Sequence, residues 1–263
     1  MVEEVKETYD RLAESYDVMF SGGSWAVYDA ITWKYIEDYL PEKGVILDAG
    51  GGTGKWSIQM AKKGFTVHLV DLSPEMLKEA SQKIDDYGLS EKVLISEGDI
   101  LDLEFPSNFF DFVLCEGDPV SYCAEAHIEA IRELVRVARP GSIIEVGVDN
   151  RYMFFLRESA NKGFSKGSKV LEDGIAVDKR GTRTFTFTPR IFQEEFDACG
   201  ADLLKVVGKP VFLVLAAPYF EDINEKVMND PEFRRMILKY ELILNEEGFG
   251  PVGNHLQAIA QKR

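Results

Sequence analysis

Short apolar runs alternate with longer stretches of helical period through the middle of this chain. Residues 44–48, 66–71, 93–97, 110–115 and 142–148 read as buried strands. The stretches between them, 54–63, 73–87 and 124–138, carry apolar positions at helical spacing. Ser73-Pro74-Glu75 supplies an N-cap, a proline at the first helical position and an early acid. Pro140-Gly141 predicts the stop of helix 124–138. Apolar strands joined by helices predict a parallel sheet covered on both faces.

The ends of the chain follow other rhythms. Val5, Tyr9, Leu12 and Tyr16 share one face of a first helix, and a break at residues 21–24 leads to a second helix over 25–39. After Asp149 the pattern loosens. Residues 151–173 predict one helix and a Gly/Lys/Ser-rich loop, and 182–188 alternates as an exposed strand would. Helix 189–199 has Thr188 as its N-cap, and 201–207 and 210–215 look strand-like. Residues 220–246 predict one or two amphipathic helices with Ile223, Val227, Met236, Ile237, Tyr240 and Ile243 as the apolar stripe. The alternating segment 255–260 closes the sheet.

Composition narrows the partners. A formal net charge of −15 argues against a general nucleic-acid binder, because phosphate-backbone binding is driven by basic surface. The apolar run 210–218 is far too short to span a bilayer. Glu3, Glu4, Glu7 and Asp10 make the first twenty residues unlike a signal peptide. No nucleic-acid partner, no membrane partner and a cytoplasmic location are therefore expected. Three cysteines and three widely spaced histidines form no disulfide framework and no metal-ligand spacing, so no metal site is expected.

The candidate chemistry centres on Asp48-Ala49-Gly50-Gly51-Gly52-Thr53-Gly54, between a strand and a helix. Glycines there permit a sharp turn and a close approach of ligand to backbone. Asp71 ends the next strand, where a carboxylate accepts hydrogen bonds from ribose hydroxyls. A P-loop is excluded, since Ala49 stands where its first glycine is needed and Trp56 where Ser or Thr is needed. Lys55 falls where a dinucleotide fingerprint needs Gly or Ala, so a nicotinamide dehydrogenase fits less well.

Residues 45–54 resemble motif I of the class I S-adenosylmethionine (SAM)-dependent methyltransferases, with Gly50, Gly52 and Gly54 matching G-x-G-x-G. Glu97-Gly98-Asp99-Ile100 resembles that family's third motif. Arg136-Val137-Ala138-Arg139-Pro140-Gly141 resembles its turn before the fifth strand, with Ala138 in place of the usual leucine and Ser142 in place of the second glycine. The resemblance covers about residues 40–150. It implies an α/β fold: a doubly wound, Rossmann-like, seven-stranded sheet, mostly parallel with an antiparallel last strand, helices on both faces and a cap insertion. It implies a single domain over 1–263, with an N-terminal helical lid (1–40), a SAM-binding core (41–150), the cap (151–188) and a C-terminal part of the sheet (189–263) carrying a helical insertion (220–246).

The implied cofactor is SAM and the implied partner a small-molecule methyl acceptor. The implied cofactor residues are Tyr9, Tyr16, Asp48, Gly50, Gly51, Gly52, Asp71, Leu72, Asp99, Ile100 and Glu116. Tyr9 and Tyr16 either close the pocket as a lid or serve as core aromatics. No dedicated catalytic motif is required, because methyl transfer needs alignment, exclusion of water and, for a protonated nucleophile, a base. Asp118, Tyr122 and His255 are the candidates for that base; Asp149 and Arg151 also fall at a strand end facing the crevice. Lys162, Lys166, Lys169, Lys179, Arg180 and Arg183 in the cap suit either an anionic acceptor or a solvated loop face. A non-catalytic SAM-binding protein and an aminopropyl transferase-like enzyme are the alternatives.

Overall fold

The structure is a computed structural model that describes residues 2–263. Its centre is a seven-stranded sheet in the order β3-β2-β1-β4-β5-β9-β8. The strands are β1 (Val45–Ala49), β2 (Thr66–Asp71), β3 (Val93–Glu97), β4 (Phe110–Cys115), β5 (Ala138–Asp149), β8 (Ala201–Lys209) and β9 (His255–Lys262). Strands β1 to β5 pair in parallel, and β9 runs antiparallel to both β5 and β8. The short β6 (Ile175–Val177) and β7 (Arg183–Phe185) form a separate antiparallel ribbon.

Alternation along each strand feeds two cores. Leu47, Val113 and Cys115 pack toward α6 (His127–Val137) and α9 (Pro189–Cys199), through Ile131, Leu134, Phe192 and Phe196. Ile46, Phe112 and Leu114 face the other way, onto α2 (Ser24–Tyr39), α3 (Lys55–Lys62) and α4 (Pro74–Asp86). With both faces covered, the sheet exposes a ligand crevice only at the carboxyl ends of its strands. The seven-stranded, doubly wound α/β architecture expected from the sequence is the one observed.

Several local expectations are corrected. Helix 124–138 opens as a 3-10 turn at Ala124–Ala126, its α part stops at Val137, and β5 begins at Ala138, ahead of Pro140-Gly141. Residues 151–173 form two helices, α7 (Arg151–Lys162) and α8 (Phe164–Asp173), not a helix and a loop. The expected exposed strand at 182–188 shortens to Arg183–Phe185, and Thr184 within it is buried, as are Thr182 and Thr186 on either side. Residues 210–215 fold mainly as a short helix, α10 (Phe212–Ala216), not a strand. Glu241 supplies the reason: its carboxylate accepts the backbone N–H groups of Val211, Phe212 and Leu213, capping that helix from thirty residues away.

The helical insertion is α11 (Ile223–Asn229) and α12 (Pro231–Glu246). Ile223, Val227 and Ile237 are buried as expected, but Met236, Tyr240 and Ile243 are exposed. The inward face of α12 runs instead through Ile237, Glu241 and Asn245. Asn245 exchanges hydrogen bonds with both backbone groups of Gly208, at 2.7 and 3.0 Å. Polar side chains that satisfy buried backbone groups have displaced the apolar stripe from the interior.

Candidate active site

A cavity of about 680 Å³ opens at the carboxyl ends of β1, β2, β4 and β5. Its size is that of a pocket for a cofactor and a small ligand. It is walled by α1 (Val2–Met19), the start of α2, the glycine turn after β1, the segments that follow β2 and β3, the loop after β4 that leads into the short α5 (Pro119–Tyr122), the end of β5, the start of β9 and the cap.

The glycine turn divides its tasks. Gly50 has φ +71°, and a Cβ there would stand 2.8 Å from Cβ of Pro119 and nearer still to its Cγ. That glycine lets the β4–α5 loop close against the turn. Gly52 has φ +53°, and a Cβ there would meet nothing within 4 Å. Its bare face is the one open to a ligand. The Gly52 N–H donates to Oδ2 of Asp71 at 2.8 Å, and the Ser73 N–H donates to Oδ1 at 2.9 Å. Each carboxylate oxygen thus keeps acceptor capacity for a sugar hydroxyl. Burial pushes the Asp71 carboxyl up to about 6, against the pull of those amides.

Of the expected cofactor residues, Tyr9, Tyr16, Gly50, Gly51, Gly52, Asp71, Leu72, Asp99, Ile100 and Glu116 all line this cavity. Asp48 does not: it lies behind the turn, where Ser57 Oγ donates to its Oδ2 at 2.6 Å, and burial lifts its carboxyl to about 7. Glu116 lines the wall but is already engaged. It accepts from Tyr28 and is ion-paired with Lys209, whose ammonium also donates to Thr32 at 3.0 Å.

Helix α1 lies across the cofactor side and is tied down by polar contacts. Asp17 accepts from Thr53 Oγ1 and from Lys83, both at 2.6 Å, and Asp10 accepts from Ser73 Oγ at 2.5 Å. Its aromatic rings continue into α2 as a row. Tyr122, Tyr9, Tyr16, Phe20, Trp25 and Tyr28 follow one another with centroids 4.7–6.2 Å apart, and His255 closes the row 5.4 Å from Tyr28. Phe20, Trp25 and Tyr28 were missed in sequence: Phe20 sits at the break after the first helix, and the 25–39 helix showed only a structural pattern.

Two of the three candidate bases, Asp118 and His255, come together with Asp149, while the third, Tyr122, lines the cavity beside Tyr9 and Arg180. His255 Nδ1 lies 3.2 Å from Asp118 Oδ1 and 3.7 Å from Asp149 Oδ1. Asp149 also accepts from Thr184 of the cap at 2.7 Å. Burial opposes the charge on His255, but Asp118 and Asp149 overcome it and hold the imidazole above its usual value. Asp149 is lifted to about 7 by burial and by Asp118. Asp118 goes the other way: burial would raise it, but His255 holds it below the usual range. Donor atoms of the three residues lie within 4.8 Å of one another, a grouping the linear spacing did not show. Arg151 points elsewhere, donating to the Thr186 carbonyl. Of the six basic cap residues singled out, only Lys179 and Arg180 line the cavity. Arg180 donates to the Tyr122 hydroxyl and sits 5.4 Å from the Tyr9 ring.

Residues 46–141 match the family model described as a methyltransferase domain. Over this stretch the chain is similar to methyltransferase domains. The match ends before the cap, so it covers the cavity wall from Gly50 to Cys123 and none of α1 or the cap. YqeM of Bacillus subtilis, which bears a methyltransferase name, is 37% identical over 146 residues, 55% of this chain and 56% of that protein. The demethylmenaquinone methyltransferase of Listeria welshimeri is 32% identical over 143 residues, 53% of this chain and 59% of its own. The chain thus spans a little over half the length of these curated relatives. The [4+2]-cyclase SpnF shares the fold, with a TM-score of 0.67 at 19% identity, covering 100% of this chain and 97% of its own. Among the described residues no helix is long and apolar enough to cross a membrane.

Proposed function

We propose that this protein transfers the methyl group of SAM to a small molecule enclosed between α1 and the cap. One observation carries the reading: a single cavity joins the glycine turn, the strand-end acids Asp71 and Asp99, and the cap. Bound SAM supplies a methyl group already activated on a sulfonium. Asp71 accepts from the ribose hydroxyls, while Asp99 and Ile100 border the adenine. The backbone at 50–52 and Leu72 complete the cradle. Tyr9 and Tyr16 close over it, and the aromatic row offers ring faces to a cation. Excluding water and fixing the acceptor in line are the remaining work of α1 and the cap.

The acceptor named for the Listeria relative does not carry over, because the matched family region stops at residue 141, short of the cap. Fold alone does not fix the reaction either, as the cyclase shows. An aminopropyl transferase-like reaction needs free acids for a polyamine. Here Glu116 is paired with Lys209 and Asp118 with His255. A non-catalytic SAM-binding protein would share the cofactor site but give no turnover.

Calorimetric titration with S-adenosylhomocysteine, repeated on Asp71→Ala, tests the cofactor assignment. Equal affinity in both proteins would remove Asp71 from the site. Release of S-adenosylhomocysteine on an acceptor panel tests the activity; tight binding with no release on any member would favour the non-catalytic reading.

A further inference from the structure

The geometry points to His255, held through Nδ1 by Asp118, as the base that takes a proton from the acceptor, and to an acceptor hydroxyl of the phenol or enol class. This inference rests on the methyl-transfer reading above and adds the substrate class.

Asp118 is an acceptor once ionised, so the His255 nitrogen facing it carries the proton. Nε2 makes no hydrogen bond to any described residue, and His255 lines the cavity. A carboxylate on Nδ1 with Nε2 free is the arrangement that orients an imidazole as a base. A second feature belongs to Asp118 itself. Its φ is +74°, a left-handed conformation rare outside glycine and one that costs free energy. Charged and titratable groups face the imidazole from every side: Asp118 from the loop after β4, Asp149 from β5, Lys209 from β8 and Tyr28 from α2. The two acids hold the proton on the ring, while Lys209 is neutralised by Glu116.

A base is needed only if the acceptor atom must lose a proton. Thioethers have none to lose, and an amine can shed its proton to water before it binds. Among hydroxyls, a phenol, near pH 10, is far better matched to an imidazole than an aliphatic alcohol is. The walls around His255 agree: Trp25 and Tyr28 rings lie 5.8 and 5.4 Å from it, so a planar, largely apolar body fits beside them. In the step, the O–H proton passes to Nε2 and then to solvent. The oxygen lone pair forms the O–CH₃ bond as the S–CH₃ bond breaks, with its electron pair left on sulfur.

The test uses the full chain and reads the imidazole directly. The three histidines are resolved by long-range ¹H–¹⁵N correlation and titrated with pH. His255 should show an Nδ1–H tautomer and a midpoint above the usual histidine value, and Asp118→Asn should lower that midpoint. An Nε2–H tautomer in the wild-type protein, or a midpoint at or below the usual value, overturns the assignment without any variant. So does a stoichiometric divalent metal bound to the three donors. For the acceptor class, p-nitrophenol is added to protein saturated with S-adenosylhomocysteine. Its absorbance should move toward the phenolate form, and less so in His255→Asn. A band unmoved by excess protein overturns the hydroxyl acceptor. Loss of S-adenosylhomocysteine binding belongs to the cofactor reading instead, and Asp71→Ala reports it separately.

Discussion

Two neighbouring glycines should fail in opposite ways when each gains one methyl group. Gly50→Ala forces an L-residue into φ +71°, a left-handed conformation that costs about 1–2 kcal/mol. Its Cβ also overlaps Pro119, a backbone-anchored ring that cannot swing aside, adding about 1–3 kcal/mol of overpacking. The sum, about 2–5 kcal/mol, is a large share of a typical folding free energy of about 5–15 kcal/mol. At roughly 2–4 °C per kcal/mol for a chain of this size, the melting temperature should fall by about 4–20 °C. Gly52→Ala, at φ +53°, carries only the backbone cost, because nothing lies within 4 Å of the new methyl. It should melt only about 2–8 °C lower. Its methyl instead stands where the cofactor approaches, and a clash of about 1–3 kcal/mol weakens S-adenosylhomocysteine about 5- to 150-fold. Thermal melts and calorimetry on both variants decide the matter. Wild-type affinity in Gly52→Ala would show that the cofactor does not border residue 52, and the site would have to be redrawn.

Three further outcomes follow from the same geometry. S-adenosylhomocysteine affinity should decline as pH falls through about 6, because protonated Asp71 loses the acceptor capacity the ribose needs; Asp71→Asn should flatten that dependence in a calorimetric pH series. Lys209→Met strands Glu116, whose side chain is 1% exposed, and should cost about 3–5 kcal/mol in urea unfolding, much of which the double variant with Glu116→Gln recovers. Asp17→Ala cuts the ties from α1 to Thr53 and Lys83, so backbone hydrogen exchange in α1 should quicken and S-adenosylhomocysteine should dissociate faster, with little change in melting temperature. Unchanged exchange in α1 would mean that the aromatic row and the Asp10–Ser73 and Lys6–Glu97 contacts hold it down without Asp17.

The sequence was most legible where local pattern and global packing agree. Strands β1 to β5 are apolar because both faces of the sheet are covered, and the turn at 50–54 declared itself through glycines that local geometry demands. It was least legible where a distant residue set the local structure. Residues 211–215 form an apolar, β-branched run, yet they turn into a helix because Glu241 caps it. The same Glu241 and Asn245 share the inward face of α12 with Ile237, which leaves Met236, Tyr240 and Ile243 exposed. Gly163, at φ +91°, separates α7 from α8, and a Gly/Lys/Ser composition concealed the second helix. In the site, most of the expected cofactor residues follow strand ends, and all of them but Asp48 line the cavity. The Asp118–His255 contact spans 137 positions, and the capture of Asp149 by Thr184 depends on how the cap folds back. Asp48 lies off the cavity wall, because a motif records a residue's neighbourhood, not which side of the turn its carboxylate takes.

The one reversed strand has a consequence for how this scaffold tolerates change. Because β9 runs against β5 and β8, the end that meets the crevice is its beginning. His255 is therefore paired across from Asp149 on one side and Lys209 on the other. The imidazole sits on a rail bolted along both edges, whereas the cap is a loop-borne insertion between β5 and α9. Exchanging residues 151–188 for another insertion should alter which molecule is admitted while leaving the proton-accepting nitrogen where it stands.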